Sequence, residues 1–121
     1  MSRQITTHKV NGLNDALAIN VLDEPGAGGA CHEYRIVLES NTNVNCRISF
    51  QNGPIKESGY NGISGEALLA VVRDRLECFQ TGPYASADNQ EALDHIVAAM
   101  EALHRRTKER MSRGVEGTHS K

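Results

Sequence analysis

The sequence predicts an α+β fold, with a small antiparallel sheet in the N-terminal half packed with a C-terminal antiparallel two-helix hairpin. Two observations predict it: apolar residues alternate with polar ones up to about residue 50, and they recur at spacings of three and four from about residue 65 onward. The chain of 121 residues is long enough for one core. We therefore expect a single domain over residues 1–121, strand-rich over 16–58, with helices over about 65–80 and 88–113 and a flexible tail over 115–121.

Three segments of the N-terminal half are typical of β-strands. HEYRIVLES and NCRISFQ place apolar side chains at every second position, which puts one face of each strand on a core. These inward positions are Tyr34, Ile36 and Leu38 in the first segment and Cys46, Ile48 and Phe50 in the second. The turn formers of SNTNVN between them predict an antiparallel hairpin. The run LAINVL, residues 17–22, is a third strand candidate.

The first helix is predicted from Gly65 to Gln80. Ser64 is a favourable N-cap, and the apolar residues that follow recur at helical spacing. The sequence TGP, starting at Thr81, then stops the helix.

The second helix is predicted to open with a capping box formed by Asp88 and Glu91 and to run to about Arg113. Gly114 ends it. The short connection between the two helices makes them an antiparallel hairpin.

Charge and hydropathy exclude several classes of protein. The formal net charge is −2 and the sequence pI is about 6.2, whereas non-specific duplex DNA binding requires a broad basic face. No apolar run approaches the roughly 20 residues that span a bilayer, and the polar start MSRQITTHKVNG has no signal-peptide core. We therefore expect a protein of the cytoplasm that binds neither membrane nor DNA.

The composition also predicts self-association. The chain has no Trp, two Phe and three Tyr, so its core relies on small aliphatic side chains. An oligomer would bury more apolar area than this single small domain can bury by itself. The odd set of three cysteines lacks C-x-x-C spacing and is typical of reduced thiols.

Four arginines, Arg105, Arg106, Arg110 and Arg113, lie within nine residues near the end of the second helix. Arg106 and Arg110 are one turn apart and therefore share a face, beside the apolar stripe. Two guanidinium forks that point the same way suit a diphosphate. The alternative is structural, because basic residues near a helix C-terminus stabilise the helix dipole without binding anything.

Phe79 and Asn89 lie on either side of the turn between the helices. An aromatic ring and an amide are what a nucleobase requires, one for stacking and one for hydrogen bonds to its edge. The alternative is that Phe79 caps the core and Asn89 stabilises the turn. Because Asn89 and Arg106 are roughly 25 Å apart along a helix, one protomer cannot bring all four residues to one small ligand, whereas an antiparallel dimer can.

Neither metal binding nor catalysis is predicted. The five histidines show no metal-ligand spacing, and GAGGA is followed by neither a helix nor a P-loop lysine. We expect no metal site, no cofactor and no catalytic residue, and hence no enzyme.

Three segments of the chain resemble the phage-encoded Thoeris anti-defence protein one family: SFQNGPIKE, RLECFQTGPYASADNQEAL and RRTKERMSRGVEGTH. The similarity runs from about Ala16 to the C-terminus. It implies a sponge that binds, without cleaving it, the glyco-cyclic ADP-ribose made by bacterial TIR-domain enzymes of the Thoeris system. It further implies a homodimer, which in some members assembles into a trimer of dimers with separate pockets for the cyclic di- and trinucleotides of CBASS enzymes. The site of action would be the host bacterial cytoplasm.

The resemblance also implies roles for individual residues. The family's adenine-stacking aromatic matches Phe79, its polar pocket residue matches Asn89, and its diphosphate-binding arginines match Arg106 and Arg110. A further basic position in the sheet region is assigned to Lys56. If the family has an arginine there, the lysine lacks the planar fork, which weakens the inference of a second pocket.

The residues alone leave two alternative functions to be distinguished. A small RNA- or protein-binding regulator would use the Arg-rich C-terminal helix, and its affinity would fall steeply with salt. A phosphodiesterase that destroys the signal would need a metal cluster or an acid/base pair that the sequence does not offer.

Overall fold

The computed structural model describes residues 3–118 of the chain. They form two compact units that divide between Ile63 and Ser64, the first built on a β-sheet and the second on helices. The predicted α+β class is therefore confirmed, with the sheet in the N-terminal half and the long helices in the C-terminal half. None of the helices within residues 3–118 combines the length and the apolar character that crossing a bilayer requires.

The first unit contains a four-stranded antiparallel sheet in which each strand pairs with the next along the chain. Its described strands are β1 (Arg3–Ile5), β2 (Leu17–Val21), β3 (Glu33–Leu38) and β4 (Asn45–Ser49). Its described helical elements are α1 (Gly12–Ala16), α2 (Ile55–Ser58) and a 3-10 turn at Ala27–Gly29. The predicted hairpin is β3 and β4, and the predicted third strand is β2. Strand β1 was not predicted, because its three residues carry no alternation of their own and are held by pairing with β2.

The register brings the apolar positions of neighbouring strands together. Ile36 lies opposite Ile19 on one side and Cys46 on the other, so the alternating residues of three strands share one face of the sheet. Burial is not confined to that face, because Val37 on the opposite face is 6% exposed and its cross-strand neighbour Ala18 is 7% exposed.

The core of the described chain is small. The buried apolar residues of the described chain are Ala18, Val21, Cys31 and Val37 in the first unit and Leu93 and Met100 in the second. Large apolar side chains on the first long helix remain exposed, with Val71 at 66% and Val72 at 45%. A single copy therefore leaves much of its apolar surface in water.

The second unit is a hairpin of two long helices, α3 (Gly65–Gln80) and α4 (Ala87–Ser112). Helix α3 has the predicted bounds, and the Ser64 side chain caps it by accepting a hydrogen bond from the backbone N–H of Ala67. The capping box predicted at Asp88 was wrong, because α4 begins one residue earlier and Ser86 is its N-cap. Ser86 lies two positions before Asp88 and has the same capping ability, so the helix continues through the predicted cap.

The turn between α3 and α4 is fixed by the Gln80 side chain. Its Oε1 accepts from the backbone N–H of Ser86, and its Nε2 donates to the Ser86 carbonyl and to Oε1 of Gln90. These three hydrogen bonds join the last residue of α3 to the cap and first turn of α4. The turn therefore has a defined geometry, and so do the side chains that flank it.

Candidate functional site

The turn end of the hairpin presents the ring of Phe79. This residue lies in the last turn of α3 and is 36% exposed, although a ring of this size is usually buried. The guanidinium carbon of Arg75, one helical turn earlier, is 5.1 Å from the ring centroid, within the range of a cation–π contact. The ring therefore has a cation on one face and remains accessible to a ligand.

An open groove of about 450 Å³ lies beside this ring. Its lining is one face of α3, formed by Val71, Asp74, Arg75, Cys78 and Phe79. The spacing of these residues, at three and four positions, places them along a single stripe.

Asn89 lies close to the same turn, in the first turn of α4. Its backbone N–H donates to Oγ of the N-cap Ser86 at 3.0 Å, and its Nδ2 donates to the Tyr84 carbonyl at 3.4 Å. The second distance is at the long end of the hydrogen-bond range. Within residues 3–118 the Oδ1 atom accepts no hydrogen bond, so the half-buried amide retains an unused acceptor.

Arg106 and Arg110 lie at the other end of α4, one turn apart as predicted. Arg106 is exposed, whereas the Arg110 side chain is only 20% exposed. The Nη2 atom of Arg110 donates to the carbonyls of Val115 at 2.9 Å and Thr118 at 3.2 Å, and its Nε lies 3.8 Å from the Glu116 carboxylate. The sequence did not predict these contacts, in which Arg110 holds the segment after the helix.

That segment is the described part of the predicted flexible tail, 115–121. After α4 the chain reverses at Gly114, whose φ of 72° is in the left-handed region, and the N–H of Val115 donates to the Arg110 carbonyl. Residues 115–118 thus form a turn against the end of α4. The last three residues, including His119, lie outside the described residues.

The hairpin therefore carries two half-sites at its opposite ends. One is the turn end, with Phe79, Asn89 and the α3 groove, and the other is the arginine end, with Arg106 and Arg110. From Asn89 to Arg106 along one continuous helix is roughly 25 Å at about 1.5 Å per residue. One chain therefore does not bring these four residues to a single small ligand. This agrees with the expectation from the sequence.

Lys56 lies apart in the sequence, on the short helix α2 of the first unit, and is exposed. The loop that carries it is closed by side-chain amides. Gln51 donates to the Gly53 and Gly59 carbonyls, while Asn52 and Asn61 exchange a pair of hydrogen bonds. The position of Lys56 within its loop is therefore well defined.

Two carboxylates of the first unit have lowered pKa values. Hydrogen bonds from the backbone N–H groups of His32 and then Glu33 lower the pKa of Asp23. The pKa of Glu33 is lowered by hydrogen bonds from Ser49 and then Arg47. Both groups are hydrogen-bonded within the sheet unit, which is a structural role. Within residues 3–118 no three His, Cys, Asp or Glu side chains are placed to hold a metal ion.

Comparison with known proteins decides the family. The family model described as Acb2/Tad1, hairpin domain, matches residues 42–108, which is more than half of the chain. The chain belongs to the Acb2/Tad1 family. It is also 36% identical over 96 residues to Thoeris anti-defense 1 of Bacillus phage SBSphiJ7, in an alignment that covers 79% of this chain and 66% of that relative. The chain thus spans just under two thirds of the relative's length, and the resemblance to the Thoeris anti-defence family is confirmed.

The match includes Phe79, Asn89, Arg106 and Lys56, whereas Arg110 lies two residues beyond it. The roles of these five residues in ligand binding remain predictions. Sequence reasoning missed Arg75, although its position four residues before Phe79 was a usable signal, because i, i+4 pairs meet on a helix.

Proposed function

We propose that this protein is a phage anti-defence sponge that binds and sequesters TIR-generated glyco-cyclic ADP-ribose without cleaving it. The observation that carries the proposal is the match of the hairpin to a family whose relative is named Thoeris anti-defense 1, together with the accessible Phe79 ring at its turn. The protein would act in the bacterial host cell in which the phage replicates.

In the proposed site, the turn end of one chain meets the arginine end of a second chain. The adenine would stack on Phe79 and use Asn89, whose Oδ1 is an available acceptor for an exocyclic amino group. The diphosphate would be bound by Arg106 and Arg110, whose guanidinium groups can each take two oxygens. An antiparallel pairing of two hairpins creates two equivalent sites of this kind.

The homodimer is supported by the surface of a single copy. Val71 and Val72 on α3 are exposed although they are apolar, and few apolar residues within 3–118 are buried. A second copy would remove this surface from water, which stabilises an assembly by about 25 cal/mol per Å² of apolar area. We extend the proposal to a trimer of dimers with separate pockets for cyclic di- or trinucleotides, to which Lys56 would contribute.

A sponge acts through affinity and copy number rather than turnover. Nanomolar binding corresponds to about 12 kcal/mol, which requires several charge-assisted hydrogen bonds and a stacked base acting together. Slow release is also required, and a site closed by two chains favours it. Catalytic groups are not needed for this function.

The test is a release assay. The purified protein is incubated with TIR-produced glyco-cyclic ADP-ribose, free ligand is removed, the protein is denatured, and the supernatant is assayed for the signal. Recovery of intact signal supports sequestration, whereas recovery of a cleaved product would identify an enzyme. No depletion at all would reject this ligand and direct the test to cyclic oligonucleotides or to the RNA-binding alternative, which predicts a steep loss of affinity with salt.

A further inference from the structure

We infer that Arg75 is a positioning residue of the ligand site, which holds the Phe79 ring as a stacking surface for the base. The inference rests on the proposed function. Its starting point is the 5.1 Å separation between the guanidinium carbon of Arg75 and the ring centroid. A cation at this distance is attracted to the ring face, and the attraction restrains both side chains.

Arg75 differs in this respect from the other arginine of α3. Arg73 forms an ion pair with Glu77, with 3.6 Å between Nε and the carboxylate oxygen. Within residues 3–118 Arg75 has neither a hydrogen bond nor an ion pair, and its contact is the aromatic ring. The two residues are two positions apart, so they point to different sides of the helix.

The groove shows where a base would lie. Arg75 and Phe79 both line it, together with apolar Val71, the thiol of Cys78 and the carboxylate of Asp74. With the guanidinium on one face of the ring, a base that stacks on the opposite face completes a layer of cation, ring and base. Restraining an exposed ring before the ligand arrives reduces the conformational entropy that binding removes.

The first experiment measures the affinity of the full chain for glyco-cyclic ADP-ribose. Arg75→Gln removes the cation and should weaken binding about three- to tenfold. Arg75→Lys keeps a cation over the ring and should recover part of the loss. Arg73→Gln removes the same charge from the same helix outside the groove and should bind as the wild type does, because surface ion pairs contribute little.

The second experiment locates the ligand through cysteine reactivity. Cys78 is exposed and lines the groove, whereas Cys46 is exposed on β4 and serves as an internal reference. Bound ligand should slow the alkylation of Cys78 by iodoacetamide, measured by peptide mass spectrometry, and leave Cys46 unchanged. In Arg75→Gln the same protection should appear, but only at a higher ligand concentration.

The outcomes separate this inference from the proposed function. If the wild type does not bind the ligand at all, the proposed function is wrong, and the variants then have no affinity to lose. If the wild type binds but Arg75→Gln binds equally well or more tightly, Arg75 does not position the ring and the inference is overturned. Unchanged alkylation of Cys78 on binding would overturn it as well, because the base would then lie elsewhere.

Discussion

The guanidinium of Arg110 donates a hydrogen bond to the carbonyl oxygen of Val115, with Nη2 2.9 Å from the oxygen. The carboxylate of Glu116 is 3.8 Å from Nε of the same group. The turn after α4 therefore contacts the group that the proposed site assigns to a diphosphate. Ligand binding and the C-terminal turn are expected to compete for, or to share, this one side chain.

Removing the carboxylate of Glu116 should strengthen ligand binding. In Glu116→Gln the negative charge beside Arg110 is lost, so a diphosphate meets less repulsion, and we expect its affinity to rise about two- to fivefold, a modest gain because the pair is partly solvated. Calorimetric titration with glyco-cyclic ADP-ribose measures it. Glu109→Gln is the control, since Glu109 pairs with Arg113, the C-cap residue of α4. Weaker binding in Glu116→Gln would mean that this carboxylate orients Arg110 rather than competing with the ligand.

Arg106 offers the cleaner test of the arginine end. Arg106 is exposed, so Arg106→Ala should leave the thermal midpoint of unfolding unchanged while it weakens binding by ten- to a hundredfold, the loss expected for charge-assisted hydrogen bonds. Arg105→Ala is the matched control, because the neighbouring arginine projects about 100° around the helix. Wild-type affinity in Arg106→Ala would remove this residue from the site. Arg110→Ala, by contrast, should also lower the unfolding midpoint, since it releases the C-terminal turn.

The elements with a clear period were predicted from the sequence nearly residue by residue, as α3 from Gly65 to Gln80 shows. Local pattern could not identify β1, which depends on long-range pairing with β2. It also could not choose between Ser86 and Asp88 as the cap of α4, because both side chains can accept the required hydrogen bond.

Four of the five predicted site residues fall at the two ends of the hairpin as expected, because helical geometry determines how far apart the two ends lie. Lys56 lies instead on α2 of the first unit. The internal contacts of Arg110 were not predictable, because they depend on how the chain reverses. That reversal needs a positive φ at Gly114, and it brings Val115 and Thr118 back to a side chain that precedes them.

The loop that carries Lys56 depends on Gly62. A Cβ atom at this position would lie 2.4 Å from the backbone carbonyl carbon of Phe50, a contact that only a backbone shift could relieve. Gly62→Ala should therefore lower the free energy of unfolding by about 1–3 kcal/mol, the usual cost of overpacking. Chemical denaturation measures the change. Gly65→Ala is the control, because a Cβ there meets no atom within 4 Å, and an equal loss in both variants would contradict the proposed steric cause.

Asp23 should make the stability of the sheet unit sensitive to acid. Hydrogen bonds from the backbone N–H groups of His32 and Glu33 lower the pKa of Asp23 below the ordinary value of 3.8. A depressed pKa in the folded state stabilises the fold above pH 3.8, and this contribution is lost as the pH falls through the folded pKa. Asp23→Asn should accordingly lower the unfolding midpoint near pH 7, and the difference between its midpoint and that of the wild type should shrink below pH 3.8.

Thermal unfolding followed by circular dichroism from pH 7 to pH 2.5 measures both effects of the Asp23 substitution. The control is Asp15→Asn, because Asp15 is an exposed residue of α1. A difference that stays constant across this pH range would show that the Asp23 charge does not contribute to stability, and that the variant acts through geometry alone.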